Sequence, residues 1–168
     1  LDLSPPTRLR IRDEVLSGTL QALTTGQADL ALGVITDASA PASGLQHAPL
    51  GQLAFAFAVA PHHPLAQTPM PWTAAQIALH RAVAVADTAV RDRLTIGLHA
   101  GQEVLTVPTL QAKLEAQLRG LGCGFLPQPL VQPYIDAGLL VATTTGTQSR
   151  STEHIIEAMK RLRSGAIG

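Results

Sequence analysis

Cysteine occurs once in the chain, at Cys123, so no internal disulfide can form and the composition fits a reducing compartment. Aromatic residues are scarce, 3% of 168 positions with a single Trp and a single Tyr, so a ring-bearing ligand would be held mainly by aliphatic side chains rather than by stacked rings. Charge is low and balanced: 12 basic residues face 12 acidic ones, and only Lys113 and Lys160 are lysines. A surface that grips nucleic acid through its phosphates carries a basic excess, so this chain is not expected to hold DNA by itself. No uninterrupted apolar run reaches the roughly eighteen residues that a membrane-spanning helix needs. The chain lacks an initiator Met and a signal-peptide pattern, and its opening LDLSPPTRLRI reads as a piece of a longer protein.

The richest stretch is Val104 to Val141, VLTVPTLQAKLEAQLRGLGCGFLPQPLVQPYIDAGLLV. Val104–Val107 is a short apolar run, and Pro108 stops it. Thr109 is placed to cap a helix with Leu110, Leu114 and Leu118 on one face, and Gly120 and Gly122 end that helix. Cys123–Leu126 reads as a buried strand, Pro127–Gly138 as a second short helix and Leu139–Val141 as another strand. Strands alternating with helices, apolar on both faces, predict a parallel sheet covered by helices. Sheets of that kind bind ligands at the carboxyl ends of their strands.

Elsewhere, Thr7–Arg12 alternates Arg with apolar residues and predicts a strand. Glu14–Thr25 predicts a helix closed by Gly26. Ala28–Ile35 and Leu53–Ala60 predict strands, and Thr36–Gly44 a loop. Trp72-Thr73 opens a helix to His80, and Arg81–Asp87 predicts a strand. Leu94–Leu98 is a weaker strand candidate. Ala142–Ser151 reads as a loop and Thr152–Arg163 as a terminal helix with Ile155, Ile156, Met159 and Leu162 on one face.

Several motifs suggest chemistry. His62 and His63 could bind a metal, but neighbouring side chains in extended backbone point apart, no further ligand stands at zinc-site spacing, and the flanking prolines favour a turn. In GLGCG the glycines follow a helix and open a strand, the reverse of a dinucleotide-binding loop, so helix stopping and close packing account for them better. Cys123 lies in an apolar run with no cationic neighbour in sequence, as a packed small hydrophobe would. Asp13, Glu14 and Asp87 close predicted strands, where capping or ligand contact is as plausible as acid–base work. Ser17 and Ser164 lie in no nucleophile elbow. No catalytic constellation, metal site or cofactor motif emerges.

Four segments together resemble the effector-binding domain of LysR-type transcriptional regulators. They are LQALTTGQADLAL (Leu20–Leu32), APHHPLA (Ala60–Ala66), GLGCGFLP (Gly120–Pro127) and VQPYIDAGLLV (Val131–Val141). Within that family, EVLSGTLQAL and VPTLQAKLEAQLRGLGCGFLP resemble the YhaJ-like regulators. The resemblance implies an α/β fold of two Rossmann-like lobes of the periplasmic-binding-protein type II kind. Residues 1–57 and 142–168 would form the first lobe, lacking its opening strand and helix, and residues 58–141 the second. A small-molecule effector, an organic acid or aromatic compound, would bind in the inter-lobe cleft and alter the geometry of a homodimer or homotetramer. DNA would be read by an N-terminal winged helix-turn-helix outside this chain, in the cytoplasm, with no enzyme activity, cofactor or membrane contact implied. A periplasmic solute-binding protein is the alternative.

Strand ends in such lobes point at the ligand. They nominate Asp13, Glu14, Val34, Ile35 and Thr36 in the first lobe, and Asp87, Thr88, Pro108 and Thr109 in the second. Thr109 has two equal readings, an anion contact at a helix N-terminus or a plain helix cap.

One expectation follows from charge alone. At physiological salt the isolated chain should not shift duplex DNA selectively in a gel; tight, sequence-selective retardation would contradict it.

Overall fold

The computed structural model describes residues 8–34, 44–46, 48, 50–51, 53–91 and 96–143. The chain divides into two compact units. The first draws on Leu1–Gln52 and Thr88–Arg93, the second on Leu53–Asp87 and Leu94–Ser149.

The second unit is organised by β1 (Phe55–Val59), which has β4 (Gly124–Pro127) antiparallel on one side and β5 (Val141–Thr143) antiparallel on the other. Its alternation of large and small residues sorts the two faces. Ala56 and Ala58 lie under Leu114, Leu126, Val131 and Leu140. Their small side chains let α3 (Leu110–Leu118) and α4 (Gln128–Asp136) come close to the sheet. Phe57 and Val59 face the other way, into a cluster with Leu65, Trp72, Ile77 and Cys123. Phe57 meets Trp72 and its register partner Phe125 edge to face, with ring centroids 5.8 and 5.1 Å apart.

β2 (Ala82–Val85) and β3 (Val104–Val107) pair in parallel, Ala82 opposite Val104 through Val85 opposite Val107. A single parallel bridge from Ala82 to Cys123 joins β2 to the start of β4. Val83 N–H donates to the Cys123 carbonyl at 2.8 Å, and Cys123 N–H to the Arg81 carbonyl at 2.9 Å. The predicted parallel sheet is therefore a mixed one. The runs at Leu53–Ala60, Arg81–Asp87, Val104–Val107 and Cys123–Leu126 each hold a strand, whereas Leu139 and Leu140 precede β5 instead of entering it. Direction depends on the route taken by the connections, which apolar content does not encode.

The local signals of this unit act as their chemistry requires. Thr73 and Gln76 form a reciprocal capping box on α2 (Ala74–Ala78). The C-terminal carbonyls of Ile77 and His80 accept from Gln102 Nε2 at 3.0 and 2.8 Å. Gly120 (φ 72°) and Gly138 (φ 68°) turn the chain out of α3 and α4 in the left-handed region. A Cβ on Gly122 would stand 2.5 Å from the Arg81 carbonyl oxygen, so the glycine permits the Ala82–Cys123 bridge.

In the first unit α1 spans Ser17–Thr24, three residues later than the predicted start. Glu14 is engaged by Arg12 and Thr88 instead of entering the helix, and Leu16 has φ 52° just before it. The strands predicted at Thr7–Arg12 and Ala28–Ile35 are not formed in their described parts, 8–12 and 28–34. Leu9, Ile11, Leu30 and Leu32 are exposed there. A strand needs a neighbour for its backbone hydrogen bonds, and none stands beside these segments among the described residues. Two further expectations change. Ile96–Leu98 forms no strand, and Ala142 and Thr143 belong to β5 rather than to a loop. The expected helix at Thr152–Arg163 lies outside the described residues.

Gly122→Ala should cost about 1–3 kcal/mol by overpacking against backbone that cannot yield. Denaturant unfolding checks this, and an unchanged midpoint would show that the Arg81–Cys123 pairing does not need the glycine.

Candidate functional site

The structure brings two of the nominated residues together in the first unit. Thr88 Oγ1 accepts from the Val15 amide at 2.9 Å and lies 2.5 Å from Glu14 Oε2, to which it donates. The Glu14 carboxylate also accepts from Arg12 Nε at 2.7 Å and pairs with Arg12 Nη2. The Thr88 hydroxyl first, and the Arg12 guanidinium after it, hold the Glu14 carboxyl below its usual value. Gly18 on α1 lies so close to Thr88 Oγ1 that any Cβ there would overlap it. The result is a half-exposed arrangement of carboxylate, guanidinium and hydroxyl just ahead of α1, able to accept and donate hydrogen bonds. Arg12, Gln21 and Gln27 belong to it, although the sequence did not single them out. Arg12 Nη2 reaches Gln27 Oε1 at 3.1 Å, and Val90 N–H donates to Gln21 Oε1 at 2.7 Å. Their only sequence signal is that Arg12 precedes a carboxylate by two residues.

Asp13 is exposed beside Glu14 and Val34 is partly buried. Asp87 lies two residues beyond the end of β2 and is partly buried. Ile35 and Thr36 lie outside the described residues. In the second unit Pro108 and Thr109 join β3 to α3, both exposed. Thr109 Oγ1 accepts from the Ala112 amide at 3.1 Å, which is the helix-cap role. That bond occupies a lone pair and leaves the O–H proton free to donate. The Leu110 and Gln111 amides at the start of α3 have no intrahelical acceptor.

The remaining motifs resolve into packing. His63 Nδ1 accepts from the Leu65 amide at 3.2 Å and so caps the Pro64–Gln67 turn, while its ring meets that of His80 at 5.0 Å. The His62 ring fills the space where a Gly120 Cβ would stand. Among the described residues no group of three His, Cys, Asp or Glu could hold a metal ion. Cys123 is fully buried, and its Sγ lies 3.4 Å from the Arg81 carbonyl oxygen. Burial pushes its thiol up to about 11, which leaves it protonated and unreactive at neutral pH.

The burial of His63 is expected to make the fold acid-sensitive. Burial, then the neighbouring His80 and His62, lower its pKa from 6.5, so the folded state favours the neutral ring. The neutral ring's contribution is complete above 6.5 and is lost as pH falls below that value towards the folded-state pKa. The melting temperature should therefore fall between pH 7 and 5. His63→Asn, which keeps a cap acceptor but does not titrate, should flatten that decline. An equally steep decline in the variant would place the acid sensitivity elsewhere.

Comparisons with known proteins agree with this architecture. The model of the LysR substrate binding domain matches residues 2–164. The uncharacterized HTH-type transcriptional regulator YeeY of Escherichia coli is 42% identical over 136 residues, covering 80% of this chain and 44% of that protein. The probable HTH-type transcriptional regulator YhaJ of the same species is 36% identical over 157 residues, covering 92% of this chain and 51% of that protein. The chain thus spans about half the length of these relatives. The regulatory domain of MetR, a LysR family regulator from N. meningitidis, superposes with a TM-score of 0.58 at 23% identity, covering 78% of this chain and 62% of that one. The fold is the α/β, periplasmic-binding-protein type II fold of LysR regulatory domains. This chain belongs to the LysR substrate-binding domain family.

Proposed function

We propose that this chain is the effector-sensing part of a bacterial LysR-type transcription regulator. The observation that carries the reading is the family match over residues 2–164, nearly the whole chain. In this reading the effector is a small organic acid or aromatic compound, and its candidate contacts are the strand-end residues nominated from the sequence: Asp13, Glu14, Val34, Ile35, Thr36, Asp87, Thr88, Pro108 and Thr109. Thr109 offers its O–H and the Leu110 and Gln111 amides to an anionic or polarised oxygen, and Glu14 and Thr88 offer acceptors to donor groups. Binding alters the packing of a homodimer or homotetramer, and a winged helix-turn-helix outside this chain reads DNA. The protein works in the cytoplasm and is not an enzyme. The names of YeeY and YhaJ as HTH-type regulators favour this over a periplasmic solute receptor. No described helix is long and apolar enough to cross a membrane.

A thermal-shift screen of small carboxylic acids and aromatic compounds tests the reading. A true effector at a hundredfold excess over Kd should stabilise the fold by about 2.7 kcal/mol. Calorimetric titration of Thr109→Val with that ligand should then show affinity lower by about 1 kcal/mol, roughly fivefold. A variant that melts lower yet binds equally well would show that Thr109 is only a cap. A screen in which nothing stabilises the chain would count against effector sensing itself.

A further inference from the structure

Two polar side chains are buried side by side in the second unit, and one of them has no hydrogen-bond partner among the described residues. Gln117 is fully buried, and neither its Nε2 nor its Oε1 has a hydrogen-bond partner among the described residues. Lys113, one helical turn earlier on α3, is 8% exposed, and it is in neither of the two ion pairs found among the described residues, Arg12–Glu14 and Arg81–Glu103. A buried amide left unsatisfied is costly, and an uncompensated buried charge more so. Apolar residues would pack this face of α3 without either cost.

Residues four apart on a helix lie side by side, and here both tips end at one place. The point where a Cβ would stand on Gly124 is 3.0 Å from Gln117 Nε2, 3.2 Å from Lys113 Nζ and 3.2 Å from the Val83 carbonyl oxygen. This place is the fork of the sheet. β2 and β4 are joined only by the Ala82–Cys123 bridge, and beyond it the two strands no longer pair. The titratable group facing Lys113 is the Cys123 thiol, and burial keeps that thiol protonated, so it supplies no counter-charge. Burial also draws the Lys113 amine down to about 8, which still leaves most of it charged at pH 7.

We infer that Lys113 and Gln117 form a binding site for a compact monoanion, a halide or a carboxylate group, at the fork between β2 and β4. Lys113 Nζ supplies the charge and one donor, Gln117 Nε2 a second donor, and Gln117 Oε1 accepts from a water or hydroxyl that accompanies the anion. The site lies within the second unit and goes beyond the effector reading. It can bind a free anion whether or not an effector is sensed elsewhere.

The test is thermal melting of the 168-residue chain at pH 7 in rising sodium chloride or sodium acetate, with ionic strength held constant by a bulky sulfonate salt. The wild type should melt higher as the logarithm of anion concentration rises above Kd. Lys113→Met and Gln117→Leu keep the side-chain volumes. Lys113→Met should abolish the anion response and Gln117→Leu should at least halve it, both at an unchanged or raised starting melting temperature. A response to chloride alone assigns a halide site, and a response to acetate assigns a carboxylate site. Chloride-35 line broadening on the wild type, reversed by acetate, gives a readout that needs no variant to fold. Equal anion responses in all three proteins, or no response and no broadening in the wild type, would overturn the inference. A response that survives while the effector screen finds nothing would support this site and count only against the effector reading.

Discussion

The second unit depends on one strand hydrogen-bonded along both edges. β1 is the shared member of two antiparallel ladders, and its five residues separate the two apolar clusters. Small residues on one face admit α3 and α4, and Phe57 on the other fills the space in front of Trp72 and Phe125. Lengthening Ala56 or Ala58 would lift both helices, and shortening Phe57 would open a cavity beside the rings of Trp72 and Phe125. Burial of Phe57 from water is worth roughly 1.5–3 kcal/mol before any cavity term. Because α3 rests on β1, the position of Thr109, and with it the open end of the helix, follows from that packing.

The first unit rests on a lighter anchor. Its described residues bury only Gly18, Ala22 and Ala89. Thr88 does much of the holding, through one hydroxyl that meets both the Val15 amide and the Glu14 carboxylate. Gly18 allows α1 to approach that hydroxyl at all. Polar contacts that are largely exposed contribute little each, so this unit gains its order from geometry rather than from a large apolar core.

Local punctuation was legible in the sequence, and pairing was not. Thr73, Thr109, Gly120 and Gly138 announced helix ends through side-chain oxygens and left-handed backbone, which are properties of single residues. The bounds of β3 and α3 follow directly from Pro108 and Thr109. Strand direction depends on residues far apart, so the antiparallel partnership of β1 with β4 and β5 could not be read from apolar runs. The alternation at Leu9 and Ile11 and the apolar run through Leu30 and Leu32 say which residues a strand would bury, not that a neighbour is present. At the candidate site, Glu14 and Thr88 were both named from strand ends. Their contact, 74 positions apart, was invisible, as was the help of Arg12. Lys113 and Gln117 escaped notice because a lysine and a glutamine beside an apolar helix stripe ordinarily face water.

The central structural claim is that β1 holds the second unit together. Native-state amide hydrogen exchange measures it most directly. The amides of Ala56 to Val59 should be among the slowest in the chain and exchange only through global unfolding, while those of α1 should exchange faster through local opening. Exchange of the β1 amides as fast as that of α1, or by an opening that leaves α3 and α4 protected, would contradict the account.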